Sequence, residues 1–171
     1  DALPIHQFVK INDNWHERLI DLDLNNNLKF IYDNKPSLYQ NVLPKNLKNN
    51  EIIELSPPAI NIVSALTKRI LETGGIVLII DYALSNKDTF GSLQAVKDHK
   101  YIDPLSNPGN SDLSSKVNFS ILSSIAKELN ANVHGPIKQS VLLKGLGIQL
   151  RCDQLIKHNP SKKNTIENEY N

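Results

Sequence analysis

Three side chains in the middle of the sequence have types and positions suited to binding a polar ligand: Asp81, His99 and Asp112. Asp81 follows the apolar run Ile76–Ile80, and in open α/β sheets ligands bind beyond the carboxyl ends of the strands. A carboxylate at that place could accept hydrogen bonds from a ligand, or it could simply cap a strand or turn. The pattern predicts a polar site at a strand end and leaves both roles of Asp81 open.

His99 and Asp112 lie in segments that are rich in turn-forming residues. His99 belongs to the charged cluster Lys97–Lys100, which could place an acid/base histidine near a site or could be a solvated group of charges. Asp112 follows Pro108-Gly109, and it could orient a ligand or hydrogen-bond its own backbone in a turn. Both interpretations stay open for each residue.

Other familiar kinds of site are not indicated by the sequence. Gly74-Gly75 follow a helical pattern and precede Ile76–Ile80, which is the reverse of a phosphate-binding loop, so these glycines are predicted to end a helix. The five histidines are widely spread without paired ligand spacing, which disfavours a zinc site. The single cysteine, Cys152, lies in an apolar helical pattern and is predicted to be a buried, unreactive thiol.

The composition is that of a soluble globular protein. The chain has 171 residues, of which 40% are hydrophobic and 22% charged, enough for one domain with a hydrophobic core. A net charge of +1 and 6% aromatic residues give no basis for nucleic-acid binding. No run approaches the roughly 20 apolar residues that span a bilayer, and a single cysteine fits a reducing compartment. We therefore predict a cytoplasmic protein without nucleic-acid or membrane partners.

The first half of the chain contains signals for strands and then for a helix. Residues 6–33 are predicted to form a small antiparallel β-meander, because Leu19–Leu24 alternates apolar and acidic side chains and an Asn-rich turn follows. Residues 35–50 are predicted to be a polar loop. Ser56-Pro57 predicts the start of a helix that ends at Gly74-Gly75. The run after it is predicted to be a buried central strand of a parallel sheet, so the fold class is α/β.

The second half is predicted to be loop-rich at first and then helical. Residues 83–116 carry several turn signals, and Asn118 is predicted to cap a helix that continues to Leu129. Three shorter elements are predicted after it: a strand at Asn132–His134 and helices at Ile137–Leu146 and Ile148–Ile156. The residues from 158 to 171 are predicted to be a frayed polar tail, so that one domain spans residues 1–157.

Taken in order, several segments resemble the motifs of one known family. They are Asp1–Phe8, Trp15–Arg18, Gly74–Tyr82, Lys97–Lys100, Pro108-Gly109 with Asp112-Leu113, Gly135–Gln139 and Leu146–Ile148. Their shared order and spacing, from Asp1 to about Ile156, is similar to that of the MidA-type S-adenosylmethionine-dependent methyltransferases. Mitochondrial members of that family assist the assembly of respiratory complex I by methylating an arginine.

The resemblance implies a class I methyltransferase sheet, which is Rossmann-like, with the β-meander as an insertion. It places Asp1 just after the fourth strand of that sheet, so the glycine-rich loop that holds S-adenosylmethionine would precede Asp1. We therefore expect the chain to be the C-terminal portion of such an enzyme, without cofactor-binding residues of its own and inactive alone. By the same resemblance Asp1, Asp81, His99 and Asp112 line the pocket that receives the guanidinium of a protein arginine.

A second hypothesis is a non-catalytic interaction module or a split-gene remnant. An exposed edge of a parallel sheet would favour pairing with a separately encoded N-terminal half or self-association. The Asn-, Lys- and Ile-rich composition is typical of AT-rich bacterial genomes and favours a bacterial cytoplasm. The mitochondrial members of the family make the mitochondrial matrix the alternative location.

Overall fold

The computed structural model describes residues 3–41, 43–45, 47–85 and 90–170. The chain divides into two compact units, the first ending at Val133 and the second beginning at His134. The first unit combines two antiparallel sheets with two helices, and the described part of the second is helical. The predicted α/β class is confirmed, with sheets that are antiparallel where the structure assigns strands.

The first sheet contains the predicted meander and one further strand. Its order is β3-β2-β1-β4, with all neighbours antiparallel. The bounds are β1 His6–Ile11, β2 Asn14–Leu22, β3 Leu28–Tyr32 and β4 Ile52–Leu55. The three strands predicted within residues 6–33 are thus confirmed. The fourth strand was not predicted, and it pairs with β1 so that His6 lies opposite Leu55.

The turn between β2 and β3 is organised by the Asp23 carboxylate. It accepts hydrogen bonds from the backbone N–H groups of Asn25 and Asn27, at 2.8 and 2.9 Å. The backbone hydrogen bond from Asn27 is the main cause that lowers the pKa of Asp23 below its ordinary value. A carboxyl whose pKa is lowered by folding stabilises the folded state above its ordinary pKa, and this stabilisation is lost as the pH falls through the lowered value.

The core of the first sheet is closed by the segment that was predicted to be a polar loop. Phe8, Trp15, Leu43 and Ile53 form one buried cluster. The indole Nε1 of Trp15 donates to the backbone oxygen of Pro44 at 3.2 Å. The loop therefore contributes an apolar side chain and a hydrogen-bond acceptor to the core, so its few apolar residues decide where it lies.

Two helices of the first unit begin and end as their capping signals predict. Helix α1 spans Pro57–Thr73 after the N-cap Ser56, and Gly74 follows it with φ of 75°. Helix α2 spans Phe119–Glu128, and the Asn118 side chain accepts from the N–H of Ile121 at 3.2 Å. The two helices pack against each other. These confirmed boundaries reflect signals that lie within one helical turn of each end.

The prediction of a buried parallel strand at Ile76–Ile80 is wrong for the described structure. These residues form no strand there, and Ile76, Leu78 and Ile80 are 94, 70 and 65% exposed. A parallel strand needs neighbours on both sides and covered faces, and within the described residues the segment has neither. The short strand predicted at Asn132–His134 is also not formed.

The region predicted to be loops between residues 83 and 116 contains a second sheet. Its strands are β5 Gln94–Lys97, β6 Lys100–Ile102 and β7 Asp112–Ser114. The order is β6-β5-β7, and both pairings are antiparallel. These strands have three or four residues each, which is too short for an alternating pattern to be recognised.

The second unit consists of short helices. Helix α3 spans Gln139–Gly145 and α4 spans Ile148–His158, with Gly147 between them in the left-handed region. Both helices were predicted, and Cys152 of α4 is buried as expected. The predicted frayed tail is instead ordered as a 3₁₀ turn, Pro160–Lys162, and helix α5, Lys163–Tyr170. Helix α5 packs on α4, a contact that the polar composition of the tail does not indicate.

The cap of α1 leads to a test of stability. Ser56 Oγ accepts from the N–H of Ala59 and donates to the backbone oxygen of Pro4. We expect Ser56→Ala to lower the free energy of unfolding by about 1 kcal/mol, measured by urea denaturation. Ser64→Ala makes the same chemical change inside α1 and should leave stability nearly unchanged. Equal losses in the two variants would contradict the capping role.

Candidate functional site

His99 lies at the tip of a tight hairpin and in a strained backbone conformation. Lys97 pairs with Lys100 across β5 and β6, so Asp98 and His99 form the whole turn. Their φ angles are 49° and 60°, as required by hairpin turns that match the twist of the strands. Such turns favour Asn-Gly or Asp-Gly, so a histidine at this position costs conformational energy.

Asp112 begins β7, the strand on the other side of β5. It lies opposite Val96, two residues before the hairpin turn. The turn in front of it is closed by other groups: Asn110 N–H donates to the Asn107 oxygen at 3.1 Å, and the Ser111 hydroxyl donates to the same oxygen at 3.3 Å. Within the described residues the Asp112 carboxylate itself accepts no hydrogen bond. The turn role left open above is therefore not seen for this carboxylate among the described residues.

His99 and Asp112 line the same open cavity. It has a volume of about 710 Å³ and is formed by the end of β5, the hairpin turn and the residues that lead into β7. The lining residues are Val96, Lys97, Asp98, His99, Gly109, Asn110, Ser111, Asp112 and Leu113. The cavity therefore offers two carboxylates and an imidazole beside one lysine, a set that suits a cationic, hydrogen-bonding group.

The other two predicted site residues are not brought into this cavity. Asp81 is exposed and accepts a hydrogen bond from the N–H of Tyr82 at 2.7 Å, as in the capping interpretation, and it does not line the cavity. Asp1 lies outside the described residues. Asp98, in contrast, lines the cavity although the sequence identified it only as one of a cluster of charges. The place of Asp98 in a tight turn results from the pairing of β5 with β6. Composition does not reveal that pairing, so the sequence did not identify Asp98 as a site residue.

The described residues give no sign of a metal centre or of a membrane span. None of their His, Cys, Asp and Glu side chains form a group of three that could hold a metal ion. None of the described helices has both the length and the hydrophobicity that a bilayer crossing requires.

The sequence matches a family of methyltransferases. The family model "Putative S-adenosyl-L-methionine-dependent methyltransferase" matches residues 1–137. The chain belongs to this family, which confirms the resemblance noted in the sequence. S-adenosylmethionine is thus the cofactor of the family, as expected.

Three curated relatives are arginine methyltransferases by name. "Protein arginine methyltransferase NDUFAF7 homolog, mitochondrial" of Caenorhabditis elegans is 34% identical over 160 residues. "Protein arginine methyltransferase NDUFAF7, mitochondrial" is 37% identical over 160 residues in Xenopus tropicalis and 33% over 158 residues in Homo sapiens. Each match covers 91% of this chain but only 37, 36 and 35% of the relative. The chain thus spans little more than a third of the length of these relatives.

Two solved structures share the fold. One is a COG1565 superfamily protein from Burkholderia thailandensis bound to S-adenosyl-homocysteine, with a TM-score of 0.76 and 18% identity. It matches 99% of this chain, which covers 46% of that protein. The other is a native crystal structure of a superfamily protein from the same organism, with a TM-score of 0.78, 18% identity and coverages of 98 and 46%. At this identity the similarity shows the fold.

Gly74 and Gly75 do not form a loop of the kind that holds the cofactor. Gly74 and Gly75 follow α1, and Gly74 has the positive φ of a residue that ends a helix. The glycine-rich loops that approach a nucleotide-like cofactor follow a strand and open a helix instead.

The strained turn leads to a prediction about stability. We expect His99→Gly to raise the free energy of unfolding by up to about 1 kcal/mol, because glycine adopts positive φ without a steric penalty. Chemical denaturation measures this. Asp13→Gly is the matched control, since Asp13 holds the same position in the β1–β2 hairpin with φ of 64°, and its gain should be smaller. A loss of stability in His99→Gly alone would contradict the assignment of strain.

Proposed function

We propose that this chain supplies the guanidinium-binding surface of an S-adenosylmethionine-dependent protein arginine methyltransferase linked to the assembly of respiratory complex I. The observation that carries the proposal is the cavity shared by Asp98, His99 and Asp112. The arginine methyltransferase names of the relatives support the same substrate class. Their mitochondrial names support the mitochondrial matrix as the location, whereas the bacterial cytoplasm stays a prediction from composition.

The charges of the cavity suit a guanidinium. Asp98 and Asp112 contribute two carboxylates and Lys97 one ammonium, so the cavity carries a formal charge of −1 when the imidazole is neutral. A guanidinium presents five N–H donors in a plane and pairs well with carboxylate oxygens. Hydrogen bonds to both carboxylates would fix its plane and orient the nitrogen that is to be methylated, and such orientation supplies much of the rate in group transfer.

His99 is proposed to accept the proton that the substrate nitrogen must lose. A neutral imidazole has one nitrogen acceptor, and at the exposed tip of the hairpin this ring can pass a proton to water. Asp1, which lies outside the described residues, and Asp81, which does not line the cavity, stay site predictions that rest on the family resemblance alone.

We also propose that the chain does not transfer methyl groups by itself. The cofactor supplies the electrophilic methyl group when it is bound, and Gly74 ends helix α1 rather than opening a helix after a strand. In this proposal the chain is the C-terminal part of a class I methyltransferase sheet, and another stretch of polypeptide holds the cofactor. S-adenosylmethionine binding by the chain alone with a sub-millimolar dissociation constant, measured by isothermal titration calorimetry, would overturn this part.

The guanidinium site has a direct test. We expect Asp112→Asn to weaken the binding of an arginine-containing peptide about tenfold, because a charge-assisted hydrogen bond is replaced by a neutral one. NMR titration measures the dissociation constants. A peptide with lysine in place of arginine should bind more weakly to the unchanged protein.

Asp13→Asn is the matched control, because the Asp13 side chain is 94% exposed and lies in the β1–β2 turn. It should leave the affinity for the arginine peptide unchanged. Equal binding of both peptides, or equal weakening by both variants, would refute guanidinium recognition in this cavity.

A second candidate function is that of an interaction module, and the exposure of Ile76–Ile80 favours it. Ile76, Leu78 and Ile80 are 94, 70 and 65% exposed, whereas Val77 and Ile79 are 36 and 42% exposed. This alternation is that of an extended segment with one face more open than the other. An exposed, apolar, extended segment is a template for strand pairing. We propose that it pairs with a separately encoded N-terminal half of the enzyme.

The pairing proposal is tested by one exposed side chain. We expect Leu78→Lys to weaken association with that half at least tenfold, because a charge would enter a dry apolar contact. Sedimentation velocity of the mixed polypeptides measures this. Leu38→Lys is the control, since Leu38 is 99% exposed in a different segment. If the chain alone forms dimers that Leu78→Lys disrupts, self-association replaces the proposed partner.

A further inference from the structure

A buried carboxylate outside the cavity connects the two sheets. Glu54 lies in β4 and is only 5% exposed. Its Oε1 accepts hydrogen bonds from Gln7 Nε2 at 2.7 Å, from Ser92 N–H at 2.9 Å and from Leu93 N–H at 3.1 Å. Its Oε2 accepts from the Ser92 hydroxyl. Four donors around one buried carboxylate compensate for its removal from water.

The network is closely packed against the backbone. Gly91 has φ of 87°, and a Cβ at this position would lie 2.9 Å from Gln7 Nε2 and 3.1 Å from Glu54 Oε1. The residue before it, Phe90, forms a parallel bridge with Ile52 of β4. The chain that leads into β5 is therefore held against β4 by both backbone and side-chain contacts, and only a glycine leaves room for them.

One branch of the network reaches the segment that carries Asp81. The hydroxyl oxygen of Ser92 accepts a hydrogen bond from the N–H of Lys116 at 2.8 Å. The next residue, Val117, donates to the oxygen of Tyr82 and accepts from the N–H of Leu84, both at 2.8 Å. Hydrogen bonds through Ser92, Lys116 and Val117 thus connect Glu54 to the backbone on the C-terminal side of Asp81.

Another branch reaches the cavity through β5. Leu93, whose N–H donates to Glu54, directly precedes β5. Strand β5 pairs with β7 through Val96 and Asp112, and with β6 up to the hairpin turn that carries His99. The position at which β5 begins therefore determines the positions of His99 and Asp112.

On the side of the first sheet, the hydrogen-bond network around Glu54 ends at the cationic side chain of Arg18. Arg18 of β2 donates from Nη1 to Gln7 Oε1 at 3.2 Å, and its guanidinium lies 3.5 Å above the ring centroid of Phe30. The oxygen of the Gln7 amide is thereby turned toward Arg18 and its nitrogen toward Glu54. Residues of the first sheet thus hold the Gln7 amide in the orientation in which it donates to the Glu54 carboxylate.

We propose that Glu54 is a positioning residue of the candidate site. Its carboxylate sets the start of β5 and, through Ser92, the register of Val117 against Tyr82, so that the segments bearing Asp81, His99 and Asp112 keep one arrangement. The use of this arrangement for guanidinium binding rests on the proposed function, whereas the positioning itself does not.

The test compares Glu54→Ala with a variant that destabilises the same strand without touching the network. Ile53→Val serves for this, because Ile53 is 8% exposed in the apolar core and loses one methylene group. Amide hydrogen exchange by NMR is measured on the whole chain. In Glu54→Ala we expect exchange at Leu84, Leu93 and Val117 to accelerate about tenfold more than in α2, with a shift of the His99 imidazole resonances.

In Ile53→Val any acceleration should be uniform, and the His99 resonances should stay in place. In Glu54→Gln exchange at Leu93 should stay close to that of the wild type, because the amide oxygen can take the three donors at Oε1, whereas exchange at Val117 should accelerate because the Ser92 hydroxyl loses its acceptor. A uniform acceleration in Glu54→Ala that equals that of Ile53→Val would reduce Glu54 to a general stabilising residue and overturn the proposal.

A second variant keeps the proposal testable if Glu54→Ala does not fold. Ser92→Ala removes the hydroxyl between Glu54 and Lys116 but leaves three donors on Oε1, so exchange should accelerate at Lys116 and Val117 and not at Leu93. Unchanged exchange at Val117 would overturn the proposal. Failure of the arginine peptide to bind, with the exchange pattern as expected, would refute the guanidinium function and leave the positioning role supported.

Discussion

The arrangement of the first unit depends on the cost of burying the Glu54 carboxylate. A buried carboxylate is tolerated only where donors surround it, and the donors here come from β1 and from the chain leading into β5. Satisfying one side chain therefore brings together segments far apart in sequence. The second sheet offers little apolar burial to do this, since Ala95 is its one residue among the buried hydrophobic residues of the described chain. Its placement thus follows from polar attachment to β4.

The parts of the fold that could be predicted from the sequence are those with local causes. The N-caps Ser56 and Asn118 and the left-handed Gly147 act within one turn of a helix end, so helices α1, α2 and α4 were predicted nearly to the residue. The β2–β3 hairpin was predicted for the same reason, because the Asp23 carboxylate and its Asn neighbours form the turn by themselves. Several boundaries thus follow from short-range chemistry.

The parts that could not be predicted depend on partners distant in sequence. Ile76–Ile80 is as apolar as a central strand, but burial requires neighbours on both sides, and composition cannot say whether they are present. Strands β5 to β7 are too short for periodicity, so their register comes from pairing alone. Glu54 did leave a local signal, a single acid among Ile52, Ile53 and Leu55. Its meaning, however, depended on donors some forty residues further along.

The candidate site depends both on local residue types and on pairing between segments that are distant in sequence. His99 and Asp112 were identified by residue type, but their meeting results from β5 pairing with strands on both sides. The turn that carries His99 would be more stable with glycine, and strain of this kind persists where the surrounding structure over-determines it. A small sheet with little core cannot supply that constraint by burial. The hydrogen bonds that hold the residues just before β5 to Glu54 can supply it, so in this proposal a residue outside the cavity keeps the cavity in shape.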